Sequence, residues 1–293
     1  MARAAENSGQ PGAVNTAEDA QKRLERMRRW VRGPFNQFLS FIIQGLVALL
    51  GVIYLKVLNR TKVYGRKVLR QQEPPYLYVS NHLTMIDDFL MDPVLFGPIA
   101  MSRFKLKYFP WHVPEEKNFF LNPILSWLLQ KCQAIPITRG RGVFQPGMMR
   151  VKELLQEGKI IHIYPEGTRS RSGDIGRGQV GVGKLARETK MKVVPVYHEG
   201  TQNILPVGSK KLRINQRVSI IVGEPVEMDD LYALPESREV FLKVAERMVT
   251  HIRGLRLKLH EDGNQAIDIP ADWLDEDRRQ VNGVPEEQGW EDG

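Results

Sequence analysis

The chain has 293 residues, enough for one large domain with appended segments, and it carries a formal net charge of +8 at pH 7. A single cysteine, Cys132, excludes a framework of internal disulfides. Acidic residues are concentrated after His260, where eleven of them stand against two arginines, so the rest of the chain carries +17. This excess favours an anionic partner, either a phospholipid surface or a nucleic acid.

The first sixty residues differ in composition from the rest. Residues 1–20 are small and polar without an apolar run, which predicts a disordered tail and excludes a signal peptide. Six cations lie among apolar residues between positions 22 and 32, and the run from Phe38 to Leu55 is almost entirely apolar. As a helix this run would measure roughly 27 Å. Residues 21–60 are therefore predicted to associate with an anionic phospholipid membrane.

The length and flanks of the apolar run leave the membrane topology open. The run barely reaches the hydrocarbon thickness, and basic residues lie on both sides of it, so the positive-inside rule gives no orientation. We expect a re-entrant or interfacial helical hairpin. A single crossing and a buried core helix are the alternatives.

Residues 61–260 alternate between strand-like and helix-like periodicities. Strands are predicted at 76–79, 99–104, 133–137, 159–164, 192–197 and 217–222. Helices are predicted at 84–96, 121–131, 148–156 and 179–189, with a long amphipathic helix that begins at Ser237. This alternation predicts an α/β fold in which a mostly parallel mixed sheet is covered by helices on both faces. The acidic residues 261–293 are predicted to form a flexible tail.

A histidine and an aspartate follow the first buried strand. The strand 76–79 runs into a polar turn containing His82, at the carboxyl end where α/β sheets carry their active sites. Asp87 comes five positions later, a spacing of about 140° on a continuous helix, so His82 is expected to precede the helix. From the turn it can bond Asp87 through one ring nitrogen and leave the other as a general base. The same residues also fit a capping box in which Thr84 is the N-cap and Asp87 reaches back to its amide.

A second polar segment, PEGTRS at 165–170, follows the predicted strand 159–164. Arg169 offers a two-pronged donor and Gly167 allows the backbone to approach a ligand, which suits a phosphate or an oxyanion. Taken alone, the segment is equally typical of a polar loop with a salt bridge.

Together, NHLTMID at 81–87 and PEGTRS at 165–170 resemble blocks of the glycerophospholipid acyltransferase family. IPITRG at 135–140 and VPV at 194–196 resemble the family's other blocks in the same order, and the resemblance covers roughly residues 60–225. Asp88 after Asp87, FPW at 109–111, and His198 with ILP at 204–206 are most similar to the tafazzin branch of transacylases. GTRS at 167–170 is instead the form usual in lysophosphatidic acid acyltransferases.

The resemblance implies a membrane-associated enzyme that transfers a fatty acyl chain to the hydroxyl of a lysophospholipid or lysophosphatidic acid, with its catalytic domain on the cytoplasmic face. His82 is implied as the general base and Asp87 as its partner. The acceptor's polar head is implied to contact five residues: Arg139, Glu166, Gly167, Thr168 and Arg169. No metal and no bound cofactor are expected. The acyl donor is acyl-CoA, acyl-carrier protein or a second phospholipid, the last as in a tafazzin-like CoA-independent transacylase.

Glycine motifs and two other protein classes give competing interpretations. Residues 176–181 match a dinucleotide fingerprint but do not follow a strand, and 178–184 match a P-loop that lacks its final Ser or Thr. A helix whose glycines allow it to pack close to the sheet is expected there instead. A non-catalytic membrane lipid-binding protein and a nucleic-acid-associated protein stay open as alternatives. No nucleic-acid partner is expected, because no stacking aromatics are interleaved with the basic residues.

Overall fold

The computed structural model describes residues 33–138 and 145–282, together with Glu25. The predicted tail 1–20 lies outside the described residues, as does the basic segment 22–32 apart from Glu25. Arg139 also lies outside them.

Five strands form one sheet. They are β1 (Arg60–Tyr64), β2 (Tyr76–Ser80), β3 (Ile160–Ile163), β4 (Val193–Glu199) and β5 (Arg217–Val222). Their order is β1-β5-β4-β2-β3, and every neighbouring pair is parallel except β4 and β5, which are antiparallel. The predicted mostly parallel mixed sheet is confirmed. β1 is an addition to the prediction: an edge strand with charged residues gives little apolar signal.

Helices cover both faces of this sheet. They are α1 (Pro34–Ile53), α2 (Arg66–Gln71), α3 (Asp87–Leu95), α4 (Gly97–Arg103), α5 (Glu116–Phe119), α6 (Pro123–Lys131), α7 (Pro146–Gln156), α8 (Val180–Thr189), α9 (Thr201–Ile204), α10 (Asp229–Ala233), α11 (Arg238–Glu261) and α12 (Ala271–Asn282). Alternate residues of β2 enter two cores: Leu77 and Val79 pack with α7, α8 and α11, while Tyr76 and Tyr78 pack with α1, α3 and α4. The sheet is thus buried on both sides, as α/β folds require.

The apolar N-terminal run forms a single helix. α1 continues into a π-helical turn, Tyr54–Leu58, so the expected hairpin is wrong. Among the described residues, the stretch Pro34–Leu58 is the one helical segment long and apolar enough to cross a membrane, a test that core helices of soluble proteins also pass. Two of its polar residues, Ser40 and Gln44, are buried against the protein, and Gln44 Nε2 donates to Lys131 O (3.2 Å).

Two predicted strands do not form. Residues 99–104 fall mainly in helix α4, because Gly97 and Pro98 start a helical turn and Ile99 and Ala100 supply its buried side. Residues 133–137 make only isolated bridges, through Ala134 and Ile137. Pro136 interrupts that run and cannot donate to a ladder.

The acidic C-terminal segment contains a helix where the sequence predicts a flexible tail. Asp277 of α12 is completely buried against α11, where Arg253 Nη1 (2.9 Å) and Arg256 Nε (2.6 Å) donate to its carboxylate. Arg256 Nη2 also donates to Asp174 Oδ1 (2.9 Å). Buried ion pairs, not an apolar stripe, therefore hold α12 on the domain.

The glycine-rich segment after residue 176 leads into helix α8, which packs on α11. A Cβ at Gly183 would lie 1.7 Å from Phe241 O, so only glycine permits this approach of the two helices. Close helix packing agrees with the sequence interpretation, although the neighbour is a helix instead of the sheet.

Candidate active site

Two loops meet where adjacent parallel strands end. Val79 of β2 lies opposite Ile163 of β3, so the residues that follow these strands emerge side by side. The loop after β2 carries His82, and the loop after β3 carries the PEGTRS segment. Both polar blocks of the sequence therefore lie at one edge of the sheet, which is the usual position of an α/β active site.

The loop after β3 holds the main chain of His82 at two points. The amide of His82 donates to Glu166 Oε1 (3.0 Å), and the amide of Ser170 donates to the His82 carbonyl (2.8 Å). Glu166 Oε2 accepts a further bond from the Gly176 amide (2.7 Å). Glu166 is only 5% exposed, and its carboxylate supports the two loops through these amides. Burial raises the pKa of Glu166, and the two amides oppose that rise.

His82 and Asp87 are in direct contact, as the sequence predicts. Their Nδ1 and Oδ2 atoms are 3.0 Å apart. The same Oδ2 accepts from the amides of Leu83 (2.7 Å) and Thr84 (2.8 Å), and Oδ1 accepts from the Thr84 hydroxyl (2.7 Å). The imidazole contact and the capping contact therefore coexist on one carboxylate.

Asp87 is held as an anion despite complete burial. Burial alone would raise the pKa of its carboxyl, but nearby His198, the bond from His82 and the Thr84 amide together lower it below its ordinary value. An ionised carboxylate only accepts hydrogen bonds, so the His82 proton lies on Nδ1. Nε2 is then left with a lone pair, which is the form a general base requires.

Aromatic and main-chain contacts fix the ring of His82 further. The ring stacks on Tyr164, with centroids 3.8 Å apart and planes 14° from parallel, and its side chain is 12% exposed. Asn81 Nδ2 donates to the His198 carbonyl (2.9 Å), and the His198 amide donates to Asn81 Oδ1 (3.0 Å). Tyr164 and Asn81 are supporting residues to which the sequence analysis gave no role, although Asn81 begins one of the family blocks and Tyr164 precedes another.

A cleft of about 460 Å³ opens beside this pair. It is lined by polar residues that include His82, Thr138 and Arg169, and by apolar residues that include Met85, Val113, Phe119, Ile137, Met148 and Val182. Such a mixture accommodates an apolar chain beside a polar group.

The predicted head-group residues divide into three sets. Gly167 and Arg169 line the cleft, and Gly167 has a φ of +65°, a conformation that favours glycine. Among the described residues, no carboxylate forms an ion pair with Arg169. Thr168 is exposed outside the cleft lining and Glu166 is buried, whereas Arg139 lies outside the described residues.

The cleft can support proton transfer. Its described lining contains neither serine nor cysteine. The single thiol, Cys132, is buried, and burial raises its pKa to about 12, so it is not a nucleophile at neutral pH. A base-assisted attack by a hydroxyl of the substrate fits these groups without a covalent enzyme intermediate.

Comparisons with known proteins identify the family of this chain. The sequence profile of the Acyltransferase family matches residues 60–199. The chain is similar to tafazzin from Drosophila melanogaster, with 28% identity over 258 residues that make up 80% of this chain and 66% of the relative. It is also similar to the 1-acyl-sn-glycerol-3-phosphate acyltransferase of Bacillus subtilis, with 30% identity over 51% of this chain and 71% of the relative. The chain thus spans about two thirds of the tafazzin's length.

A solved structure supports the fold. The 1-acyl-sn-glycerophosphate acyltransferase PlsC from Thermotoga maritima superimposes with a TM-score of 0.55 and 18% identity, covering 80% of this chain and 92% of PlsC. The order of the sequence blocks, the topology of the sheet and the matching relatives all indicate the same family. The chain belongs to the glycerophospholipid acyltransferase family and is an enzyme of that family.

Proposed function

We propose that this acyltransferase transfers a fatty acyl chain to the free hydroxyl of a lysophospholipid or lysophosphatidic acid, with His82 as the general base. The observation that carries the proposal is the His82 and Asp87 pair beside a cleft that also contains Arg169. One part of the cleft lining is apolar and suits an acyl chain, while Arg169 suits a phosphate.

The proposed reaction balances with one proton carried by His82. Nε2 takes the proton of the acceptor hydroxyl as its oxygen attacks the acyl carbonyl, and a new ester bond forms. Asp87 stabilises the imidazolium that results. The bond from the carbonyl carbon to the donor breaks, and His82 returns the proton to the leaving group. That group is a thiolate if the donor is acyl-CoA or acyl-carrier protein, and an alkoxide if the donor is a phospholipid.

Names of the relatives support the acceptor class. The Bacillus subtilis relative and PlsC are named as acyltransferases of 1-acyl-sn-glycerol phosphates, whose phosphate would suit Arg169. Arg139 is proposed as a second phosphate contact, from the family resemblance. The Drosophila relative is named tafazzin, which keeps a phospholipid donor and a tafazzin-like CoA-independent transacylase as the second candidate function. No bound cofactor is proposed for either reaction, and nucleic acid is not proposed as a partner.

The outer face of α1 supports association with an anionic phospholipid membrane. Large apolar side chains on this helix are exposed: Phe35, Phe38, Ile42, Leu46, Leu49, Leu50 and Ile53. Leu121 and Ile124, at the start of α6, are 81% and 78% exposed. α1 packs on α3 and α4 through its other side, so we favour a monotopic arrangement over a crossing, with the catalytic domain at the cytoplasmic face.

The reaction is tested by mass spectrometry of the purified chain supplied with isotopically labelled lysolipids. Acyl-CoA, acyl-carrier protein and a diacyl phospholipid are offered separately as donors, and lysophosphatidic acid is compared with zwitterionic lysolipids. Labelled diacyl product with at least one donor is expected, and its loss in His82→Ala is the control. Binding of the lipids without any product in all arms would leave a non-catalytic lipid-binding protein as the answer.

Membrane topology is tested by impermeant thiol labelling of sealed vesicles. Cys132 is first replaced by Ser, and single cysteines are then placed at Ser8 and Ser209. Labelling of both positions from one face is expected for a monotopic protein. Labelling from opposite faces would establish that α1 crosses the bilayer.

A further inference from the structure

Four side chains converge behind the His82 and Asp87 pair. Asp88 and Asp92 lie one turn apart on α3, His112 lies between α4 and α5, and His162 is in β3. His112 and His162 are buried, as is Asp92, while Asp88 is partly exposed toward the cleft. Ligand atoms of Asp88, His112 and His162 all lie within 4.8 Å of one another.

In this cluster a ring nitrogen of His162 and the carboxylate oxygens of Asp88 and Asp92 face one another as hydrogen-bond acceptors. His162 Nε2 is 2.9 Å from Ser80 Oγ, and that hydroxyl donates its proton to Asn81 O (3.2 Å). With the Ser80 proton directed to Asn81 O, His162 Nε2 donates to Ser80 Oγ, and Nδ1 presents a lone pair to Asp88 and Asp92.

Several atoms of the cluster lack a hydrogen-bond partner among the described residues. They are His112 Nδ1, His162 Nδ1, both carboxylate oxygens of Asp92 and the Tyr78 hydroxyl. A buried acceptor without a hydrogen bond costs free energy of folding. Several such acceptors that converge on one point indicate a missing cation or proton.

Four nitrogen–oxygen separations in the cluster are close to the edge length of a tetrahedral metal site, with Asp88 contributing Oδ2 toward His112 and Oδ1 toward His162. His112 Nδ1 lies 3.6 Å from Asp88 Oδ2 and 3.4 Å from Asp92 Oδ2. His162 Nδ1 lies 3.3 Å from Asp88 Oδ1 and 3.8 Å from Asp92 Oδ2. A tetrahedron around zinc, with bonds near 2.1 Å, has edges of about 3.4 Å. We propose that Asp88, Asp92, His112 and His162 bind one divalent transition-metal ion of the zinc class.

Surrounding contacts support this assignment. The Ser80 hydroxyl accepts from the distal nitrogen of His162, as outer partners of metal-bound histidines commonly do, and the Tyr164 hydroxyl donates to Asp88.

The proposed ion would act as a positioning element. Asp88 directly follows Asp87, and Tyr164 contacts Asp88 with its hydroxyl while its ring stacks on His82. The ion would connect α3, β3 and the segment around His112, and so fix the start of α3 relative to His82. The sequence analysis expects no metal here, because the ligands are spread over 75 positions and only Asp88 and Asp92 share a helix.

Metal binding by the untagged full chain tests this proposal directly. The protein is stripped with a chelator, equilibrated with Zn²⁺, and separated from free metal before elemental analysis. About one zinc per chain is expected, with a rise in melting temperature. Co²⁺ should give the visible absorption of a tetrahedral ion. Asp92→Asn should weaken zinc binding by at least about 100-fold, the upper end of the loss caused by removing only an outer-shell partner.

Exposed His251 on α11 provides the matched control, since His251→Gln should retain wild-type zinc binding. If the stripped wild-type chain retains no zinc, or if Asp92→Asn binds it as tightly as wild type does, the site is refuted and the cluster is a proton-sharing one. Zinc content is measured apart from acyl transfer. Failure of this proposal therefore leaves the proposed reaction unaffected.

Discussion

Two aspartates of α3 differ in how their hydrogen-bonding capacity is satisfied. Asp87 receives four hydrogen bonds, all from the protein, from His82, Leu83 and Thr84. Asp92 lies one turn further along α3 and receives none from the described residues. A buried carboxylate that the protein satisfies by itself can remain ionised and orient an imidazole. A buried carboxylate without such hydrogen bonds requires a cation or a proton. Two aspartates on the same helix therefore have different roles.

Asp87→Asn disrupts the hydrogen bonds of the fully bonded aspartate, and it is expected to have the largest effect. The amide would donate toward groups that also donate and would disturb the His82 tautomer, so kcat should fall by about 10² to 10⁴-fold. Acyl-transfer kinetics with circular dichroism would check this. Asp229→Asn, exposed in the first turn of α10, is the control. If Asp87 served only as a helix cap, the rate would be retained and stability would fall by about 1 kcal/mol.

A third buried carboxylate, Asp277, extends the comparison to the contact between α12 and α11. Asp277→Ala leaves Arg253 and Arg256 buried without their shared partner, so the free energy of unfolding should fall by about 3–5 kcal/mol. Chemical denaturation measures this loss. Asp275→Ala on the same helix removes an exposed pair with Arg278 and should change stability by less than about 1 kcal/mol. Equal losses in the two variants would show that α12 is not held by the buried pairs.

Glu166→Gln sharpens the distinction between support and substrate contact. The two backbone amides that donate to the Glu166 carboxylate would compete for the single carbonyl oxygen of glutamine. The free energy of unfolding should fall by about 1–3 kcal/mol. Because these bonds position His82, kcat should fall by roughly tenfold while KM for the acceptor stays constant. A higher acceptor KM at unchanged kcat would instead restore the head-group role that the sequence analysis gave to Glu166.

Arg169→Lys is expected to have the smallest effect. Lysine keeps the charge but loses the planar two-pronged donor, so KM for a phosphate-bearing acceptor should rise by a few fold to about tenfold, with little change for the donor. Steady-state kinetics with both substrates varied would measure it. Arg171→Lys, two positions along and exposed outside the cleft, is the matched control. Unchanged constants in Arg169→Lys would remove this residue from the head-group site.

Local sequence signals predicted the strands and helices with clear apolar periodicity. Strand β5 falls at the predicted residues, and Ser237 caps α11 through the Val240 amide (3.1 Å). The contact of His82 with Asp87 was predicted with a capping box as the alternative, and both contacts occur. Residues 133–137 could not be placed in this way, because an apolar run of that length containing Pro136 does not distinguish a strand from an extended loop.

Interactions between distant segments escaped prediction. Glu166 supports His82 from 84 positions away, and α12 is attached by buried charges that look like a solvated tail in the sequence. The cluster of Asp88, His112 and His162 likewise exists only in three dimensions. Low apolar content indicated flexibility after residue 260, but a paired buried charge can anchor a helix without an apolar stripe.

The most direct test of the catalytic assignment is the single-turnover rate of acyl transfer by His82→Ala in mixed lipid and detergent micelles. Melting temperature and zinc content of the variant are measured in parallel, and His251→Ala, an exposed histidine on α11, is the control. A rate at least about 10²-fold below wild type is expected, with the fold retained, because general-base catalysis supplies about 10² to 10⁴-fold. Transfer at the wild-type rate by folded His82→Ala would contradict it.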